Sequence, residues 1–379
     1  MVAGLKREVC VISGVNDLEH LYTFPSFPIF MGCTEEDEAT DLRQNMSWWI
    51  SRTSGLIQLK DLVALESLYP QAHGSGEVGR LWNLHHKAFA TFLNRVRPTS
   101  VFEIGGARGI LELEYQSFDT IPWVIVEPNP NPIPGTRASF LRGFFSEEFE
   151  YDRSFDTLVH SHVFEHIYDP VGFMLTIGNF LSEESKIVFS VPNLEIMLER
   201  KYTNHINFEH TIFLTEIYIE HLLSIGGFQV TGKEYFMEDH SIFYSAIKKM
   251  NTPRLPIPDF LYERHRRLYL DYVTYHLDLV ERFNNQLAAA SGPVYLFGAH
   301  AFTQYLIAFG LDTTKVVAVI DNDTSKHAKR LYGTSLIVVA PNVLSRQENP
   351  FVVLKAGIYD EEVRDDILQN YNPNTSFIS

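Results

Sequence analysis

The stretch that decides the fold is VFEIGGARG, residues 101–109. A short apolar run carries Glu103 and then turns through Gly105, Gly106 and Gly109 into a helical pattern. Glycine lets the backbone approach a ligand where a Cβ atom would collide. We therefore predict a strand, a ligand-binding turn and a helix, although such turns serve dinucleotides, nucleotides and simple packing alike.

The next apolar run, WVIVEP at residues 123–128, supplies the second half of the signal. Glu127 lies 24 positions after Glu103, at a predicted strand end where a carboxylate can accept hydrogen bonds from two ribose hydroxyls. We count Pro128 with the same site. An NAD site would prefer the full G-x-G-x-x-G pattern, whereas residues 105–109 read G-G-A-R-G. The combination favours a nucleoside cofactor over packing alone.

Further short β-branched runs alternate with helical stretches, which is typical of a mainly parallel sheet covered on both faces. The runs are FDTLVHSHV (155–163), KIVFSVPN (186–193), FQVTGKEYF (228–236) and SIFYSAIKK (241–249). The last two are close in sequence and are expected to form an antiparallel edge pair. We predict an α/β fold with a Rossmann-like domain over residues 96–250.

The flanking segments have different patterns. Residues 1–95 show few clean strand signals, and we interpret them as a small irregular module that ends in a helix. Three prolines in NTPRLPIP mark the start of a linker and helix at residues 251–290. PVYLFGAH (293–300) and KVVAVIDND (315–323) then predict a second, smaller Rossmann-like α/β domain over residues 291–379.

Composition narrows the class of partner. The net charge of −16 argues against nucleic-acid binding, which depends on clustered Lys and Arg, and favours a small-molecule substrate. No apolar run approaches the ~18 residues of a membrane span and no signal peptide is evident, so we expect a cytoplasmic protein without a membrane partner. Cys10 and Cys33 are too few for a disulfide framework. The oligomeric state is left open.

Four motifs, EIGGARG, VEPNP, SHVFEHIYDP and VPNL, follow one another in the order used by class I S-adenosylmethionine-dependent methyltransferases, and the central domain resembles that family. Ala107 stands where the family usually has a middle glycine. The resemblance implies S-adenosylmethionine as cofactor. It places the methionine portion at Glu103, Gly105 and Gly109, the ribose at Glu127, and the adenine or sulfonium side at Phe144, Phe145 and His162. Gly106 and Pro128 are counted as further cofactor-binding residues.

The segment after KIVFSVPN is rich in ionisable groups, and His205, Glu209 and His210 lie close together in it. Methyl transfer is an in-line displacement, and a base is added when the acceptor carries a proton. We predict the Glu209–His210 pair as that base, with His205 as a further candidate. The alternative is that these histidines are partly exposed or only satisfy backbone carbonyls.

Histidines also lie at the end of FDTLVHSHV, where His160, His162 and His166 accompany Glu165. Their spacing suits a metal, but the expected position beside the cofactor favours contacts to cofactor or substrate. We assign His166 and Asn193 to the substrate, and we predict no metal.

The whole chain resembles the three-part C-methyltransferases that act on nucleotide-linked keto sugars, which carry an N-terminal zinc module and a C-terminal α/β domain. NFEH at residues 207–210 looks like that family's tyrosine–histidine–glutamate–histidine run. LFGAHAFTQYLIAFGLD at residues 296–312, followed by Asp321, looks like its third domain. In the segment that corresponds to the family's G-G-S-L-R, residues 239–243 lack an arginine.

Two C-x-x-C pairs of that family correspond here to CVISG (10–14) and SRTSG (51–55), so three thiolates are replaced by serine. Serine is a poor zinc ligand. We therefore predict that the N-terminal module holds no zinc and keeps its shape by packing the aromatics Tyr22, Phe24, Phe27, Trp48 and Trp49. Tyr69 and His73, in the place of a tyrosine-rich segment, are candidate substrate contacts on a lid, or plain surface residues.

The expected activity is base-assisted methyl transfer to a carbon of a nucleotide-activated sugar or similar polar metabolite. Oxygen methylation of a saccharide is the alternative within the class. A catalytically retired protein that binds the cofactor or serves in assembly is the alternative outside it. A NAD-dependent sugar oxidoreductase is disfavoured by the incomplete glycine pattern.

Overall fold

The computed structural model describes residues 5–68, 79–151, 154–203, 205–355 and 357–379. The strands in these ranges are β1 (Leu18–Pro28), β2 (Cys33–Thr34), β3 (Arg43–Ser51), β4 (Ile57–Leu59), β5 (Val101–Ile104), β6 (Trp123–Glu127), β7 (Ser139–Arg142), β8 (Thr157–Ser161), β9 (Lys186–Pro192), β10 (Phe228–Phe236), β11 (Ser241–Lys248), β12 (Val294–Phe297), β13 (Val316–Ile320), β14 (Arg330–Leu331), β15 (Val338–Val339), β16 (Phe351–Val353) and β17 (Ser376–Ile378).

The α-helices are α1 (Leu65–Leu68), α2 (Arg80–Arg95), α3 (Ile110–Tyr115), α4 (Pro170–Phe180), α5 (Leu194–Glu199), α6 (Glu216–Ile225), α7 (Met237–His240), α8 (Leu261–Ala289), α9 (Ala301–Ala308) and α10 (Asp360–Asp366). Among the helices of the described ranges, none combines the length and the hydrophobicity required to cross a bilayer.

Two compact units make up the chain. The first contains Met1–Glu19, Trp49–Arg200 and Glu209–His265, and the second contains His20–Trp48, Lys201–Phe208 and Arg266–Ser379. These limits differ from the domain limits expected from sequence, because residues 20–48 group with the C-terminal part of the chain rather than with the rest of the N-terminal module.

The first unit is built on a seven-stranded sheet with the order β10-β11-β9-β8-β5-β6-β7. Strands β5 to β9 pair in parallel, whereas β11 runs antiparallel to both β9 and β10. The expected parallel sheet with an antiparallel edge pair is confirmed. In a parallel sheet the carboxyl ends of neighbouring strands meet at one edge, and ligands bind there.

Both faces of this sheet are apolar, as parallel sheets covered on two sides require. Phe102, Leu158 and Ile187 contribute to one core cluster together with residues of α4 and α6. Val101, Val159 and their neighbours contribute to the other cluster with residues of α2 and α3. The alternation of Val101 and Phe102 follows from the period of two in a strand, and it sends Glu103 to the same face as Val101.

The second unit has its own parallel sheet, ordered β15-β13-β12-β16-β17. Tyr295, Ile320 and Val352 from its strands form a core with Leu344 and Ile367. The second α/β domain expected from sequence is therefore present, and α8 occupies the long helical stretch that was expected before it.

The N-terminal segment contains more strand than the sequence suggested. β1 spans 11 residues and β3 spans 9, so the expectation of an irregular module is corrected. Two prolines and an irregular burial pattern in β1 hide the strand from a period-two test. Phe24 and Phe27 are buried, but they pack on residues of the C-terminal part of the same unit, with Phe24 4.9 Å from Phe309 and Phe27 5.3 Å from Tyr305 between ring centroids.

Two tight turns in the first unit span residues 10–14 and 51–55, the segments for which we predict no zinc. Gly14 N donates to Cys10 O at 2.9 Å, and Gly55 N donates to Ser51 O at 2.8 Å, each glycine having a φ of +70°. The buried Cys10 Sγ lies 3.2 Å from Ser54 Oγ. The two turns therefore face each other through a hydrogen-bonded thiol–hydroxyl pair, and the absence of zinc there stays a prediction.

We expect the triple variant Ser13→Cys, Ser51→Cys, Ser54→Cys to bind one metal ion, because four thiolates on two such turns can surround a zinc-sized ion. Cobalt titration reads this directly, since thiolate ligation of cobalt gives a charge-transfer absorption that imidazole or carboxylate ligation does not give. The triple alanine variant at the same positions is the matched control. Absence of the absorption in the cysteine variant would show that the turns do not have the geometry of a thiolate site.

Candidate cofactor and methyl-transfer site

The glycine turn after β5 is closely surrounded on two sides. Gly105 and Gly109 have φ values of +70° and +81°. A Cβ atom at Gly105 would lie 2.8 Å from Val163 Cγ2, and one at Gly109 would lie 2.8 Å from Thr136 Oγ1. Both positions therefore require glycine for conformation and for space, and the turn presents backbone at the carboxyl edge of the sheet.

Glu127 at the end of β6 is tied to this turn. Its Oε2 accepts a hydrogen bond from Ala107 N in the turn at 3.2 Å, and its Oε1 accepts one from Asn129 N, the residue after Pro128, at 3.1 Å. An ionised carboxylate has about four acceptor sites, so two remain for hydroxyl donors. A half-exposed carboxylate held by backbone amides beside a glycine turn fits the ribose of a nucleoside cofactor.

Ala107 has a φ of +44°, in the left-handed region that favours glycine. A side chain there costs about 1–2 kcal/mol relative to a right-handed conformation. The substitution of the usual middle glycine is therefore tolerated in a strained backbone, and the hydrogen bond from Ala107 N to Glu127 helps to hold that conformation.

Glu103 lies beneath the turn. Its side chain is 2% exposed, and its Oε2 accepts a hydrogen bond from Trp123 Nε1 at 2.7 Å. A Cβ atom at Gly106 would lie 2.7 Å from Glu103 Cδ, which explains the glycine at that position. Burial raises the pKa of Glu103 to about 8. Its predicted contact to the methionine portion stays a prediction, while its packing supports the turn from below.

Phe145 belongs to an aromatic cluster on the opposite face of the sheet from Glu103. Its ring centroid is 6.0 Å from that of Phe102, 5.5 Å from that of Phe149 and 5.4 Å from that of Phe180. It packs at the rim of the core cluster and keeps partial exposure. The neighbouring Phe144 is 56% exposed. Contact of Phe145 with adenine stays a prediction.

A short 3-10 helix, Phe164–His166, follows β8 and leads away from the glycine turn. His162 has a φ of +51° and its Nδ1 lies 3.2 Å from Glu165 Oε1, a carboxylate that is 1% exposed. His166 Nε2 lies 3.9 Å from the same oxygen. The segment thus places a buried carboxylate between two imidazoles.

Glu209 and His210, the two residues predicted to act as the general base, lie near the end of this segment at His166. His166 Nδ1 is 3.8 Å from Glu209 Oε2, and the ring centroids of His166 and His210 are 4.9 Å apart. The side chains of His166 and Glu209 are 24% and 31% exposed, so both are reachable from solvent. The structure therefore brings His166, predicted to contact the substrate, together with Glu209 and His210, predicted to act as the general base.

Arg7 anchors both sides of this cluster and was not found from sequence. Its guanidinium is 6% exposed and donates to Thr211 O at 2.8 Å and to Tyr168 O at 2.7 Å. Burial lowers its pKa to about 10. One side chain from the N-terminal segment therefore holds the residue after His210 and the second residue after His166, and no local pattern near Arg7 signals that task.

Other predicted residues have different surroundings. Asn193 is 6% exposed and donates from Nδ2 to Glu238 O at 2.8 Å, which is a structural contact. His205 is 1% exposed and belongs to the second unit, where its ring centroid is 6.0 Å from that of Tyr272. Tyr69 and His73 lie outside the described residues.

Residues 79–232 match the family model described as a methyltransferase domain. No curated protein sequence matches the chain.

Three solved structures show weak similarity. One is a putative O-methyltransferase from Nostoc punctiforme PCC 73102, with 15% identity and a TM-score of 0.36 over 44% of this chain and 57% of that chain. Human N-acetylserotonin methyltransferase in complex with S-adenosylmethionine has 15% identity and a TM-score of 0.38 over 45% and 53%. A possible histamine N-methyltransferase from Thermotoga maritima has 17% identity and a TM-score of 0.37 over 45% and 90%. The alignments thus span a little over half of the first two structures.

Glu103→Gln is expected to change how stability depends on pH. The folded-state pKa is raised from 4.5 to about 8, so the folded protein keeps a proton that the unfolded chain releases. The free energy of unfolding therefore falls as pH rises through that window, by up to about 1.4 kcal/mol per pH unit from this group. Glutamine removes the effect. Denaturant unfolding should therefore show that the free energy of unfolding of the variant increases relative to that of the native protein as pH rises. A difference that stays constant across the window would contradict the assignment.

Glu127→Ala is expected to weaken S-adenosylmethionine binding by roughly 10- to 100-fold, because it removes charge-assisted hydrogen bonds to two hydroxyls. Equilibrium dialysis with labelled cofactor measures the change. Glu114→Gln, on α3 and away from the turn, is the matched control and should bind as the native protein does. Equal affinities in the native protein and Glu127→Ala would remove Glu127 from the cofactor site.

The glycine turn, the amide-held carboxylate after β6 and the order of the parallel strands all lie inside the region that matches the family model. The residues present therefore fit the nucleoside cofactor that this family uses, and S-adenosylmethionine is the cofactor of the domain. Residues 79–232 are therefore described as an S-adenosylmethionine-dependent methyltransferase domain.

Proposed function

We propose that the protein methylates a carbon of a nucleotide-activated sugar or a similar polar metabolite, with Glu209 and His210 as the base. The observation that carries the proposal is the continuity of the segment after β8. Val163 lies against Gly105 of the cofactor turn, and three residues later His166 lies against Glu209 and His210. One short segment therefore contacts both the glycine turn, where we expect the methyl donor, and the two residues that we propose as the base.

S-adenosylmethionine supplies an electrophilic methyl group when it is bound. The chain's own contribution is to orient the acceptor and to take its proton. An imidazole suits this task because its ordinary pKa lies near neutrality, and an adjacent carboxylate stabilises the protonated ring. Glu209 is partly exposed and lies against the His166 ring, so His166 is a positioning residue for the pair. Arg7 fixes the backbone beside it.

The choice of a sugar-type acceptor rests on resemblance. NFEH at residues 207–210 and the C-terminal α/β unit correspond to the keto-sugar C-methyltransferases, and the acidic chain disfavours nucleic acid as substrate. In the place of the family's arginine segment this chain has residues 239–243, which include His240 and Ser241. The acceptor is therefore proposed as a class, and the methylated position is left open.

The test is a screen of nucleotide sugars with methyl-labelled cofactor, read by mass spectrometry. Glu209→Gln and His210→Gln should each lower the rate of methyl transfer by about 100- to 10,000-fold, the usual contribution of a general base, with cofactor affinity retained. Glu199→Gln and His221→Gln, in the same unit and outside the cluster, are matched controls expected to keep the native rate.

Methyl transfer unchanged in both Glu209→Gln and His210→Gln would contradict their role. Absence of methylated product from every nucleotide sugar, despite cofactor binding, would contradict the acceptor class and favour the retired binding protein. Carbon and oxygen acceptors differ in a second readout. A carbon acceptor should exchange its proton with deuterated solvent in the presence of the enzyme, and a hydroxyl acceptor should leave all carbon-bound protons in place.

A further inference from the structure

A second group of imidazoles takes no part in the proposed base, and it includes His162, whose neighbour Val163 lies against Gly105 of the glycine turn. It consists of His85 from α2, His162 after β8 and His240 before β11. Their ring centroids are 5.3 Å apart for His85 and His162, 5.5 Å for His85 and His240, and 6.1 Å for His162 and His240. One ring nitrogen from each lies within 4.8 Å of one from each of the others.

His85 is the residue that most requires an explanation. Its side chain is fully buried, and neither ring nitrogen has a hydrogen-bond partner among the described residues. Burying a polar group without a hydrogen-bond partner destabilises the folded state, so native proteins seldom retain one without a reason. Phe236 and Phe243 pack against the ring, at 5.4 Å and 5.3 Å between centroids. The ring is thereby directed by its packing toward the other two imidazoles.

The other two imidazoles are oriented by one hydroxyl. Ser241 Oγ lies 2.9 Å from His162 Nε2 and 2.6 Å from His240 Nδ1. The Trp82 ring meets all three imidazoles edge to face, with centroid distances of 5.0–5.2 Å. His162 and His240 keep part of their surface exposed. The cluster is therefore lined by aromatic rings and supported by a hydroxyl.

We propose that His85, His162 and His240 bind a divalent transition-metal ion of the zinc type. Three imidazoles on separate elements are the donor set that zinc, copper, iron and nickel prefer, whereas magnesium and calcium require oxygen ligands. Zinc–nitrogen bonds of about 2.0–2.1 Å draw the nitrogens to about 3.4 Å from one another. In the structure these nitrogens lie within 4.8 Å of one another, so metal binding requires the rings to rotate toward the ion.

A three-histidine ion keeps a coordination position for a water or an acceptor oxygen. Because His162 precedes Val163, which lies against Gly105, an oxygen at that position would be held beside the cofactor turn. The presence of the metal site is independent of the proposed function. The contribution of the metal ion to methyl transfer rests on the proposed function.

The experiment uses full-length protein without a histidine tag. Zinc is removed with a chelator, and the apoprotein is then titrated with zinc in competition with a chromophoric chelator. We expect one tight equivalent per chain. His240→Gln should weaken binding at least 10-fold. Ser241→Ala, which removes the shared hydrogen-bond partner, should weaken it by roughly 10- to 100-fold, as loss of such a supporting group usually does.

The matched control is His160→Gln. His160 is as buried as His85, also lacks a hydrogen-bond partner among the described residues, and stacks on Phe189 outside the cluster. It should leave zinc affinity unchanged. No stoichiometric zinc in the native protein would overturn the proposal, as would zinc retained in both His240→Gln and Ser241→Ala. Binding lost only in His166→Gln would place the ion at the other cluster, Glu165, His166 and His210, and would equally overturn it. Cofactor binding measured on the same samples separates these outcomes from failure of the proposed function.

Discussion

The hydrogen bond from Ala107 N to the Glu127 carboxylate is the interaction on which the site depends. It joins the turn after β5 to the end of β6, and it holds Ala107 in a left-handed conformation that an alanine adopts only at a cost. A second amide, that of Asn129, fixes the other carboxylate oxygen. Backbone amides therefore fix the carboxylate oxygens that we predict to accept hydrogen bonds from the ribose.

The parallel sheet places this local arrangement at the edge where the carboxyl ends of its strands meet. Strands β5, β6 and β8 end side by side, so the glycine turn, Glu127 and the segment from His162 to His166 emerge together. Glu103 supports the turn from one face of the sheet, and the aromatic cluster around Phe102 and Phe145 fills the other. Loops that carry chemistry on a rigid sheet are the usual arrangement in this class of fold.

Sequence predicted what depends on local pattern. Strands β5, β6 and β8 to β11, the antiparallel edge pair and the glycine turn follow from periodicity and glycine placement, whereas β4 and β7 were not predicted. Glu127 lies at the end of a strand, as expected. The face taken by Glu103 also follows from the strand period, yet burial there decides its protonation, which a sequence does not show. β1 escaped detection because its prolines and mixed burial break the alternation of a half-buried strand.

Residues far apart in sequence were beyond reach. Arg7 acts on Tyr168 and Thr211, more than 160 positions away, and nothing in its own neighbourhood signals such a contact. His85, His162 and His240 come from three elements, so their meeting depends on the packing of α2 against the sheet and on the antiparallel return of β11. From the sequence, a metal was considered at His160, His162, His166 and Glu165, which are close together in the chain, and at the N-terminal cysteine and serine positions.

The measurement that tests the central claim most directly is a crystal structure of the protein with S-adenosylhomocysteine. The account predicts the ribose hydroxyls within hydrogen-bond distance of the Glu127 carboxylate and the sulfur facing the segment from His162 to His166. A ligand bound with its ribose elsewhere, or density for the ligand at neither Glu127 nor the glycine turn under saturating conditions, would contradict it.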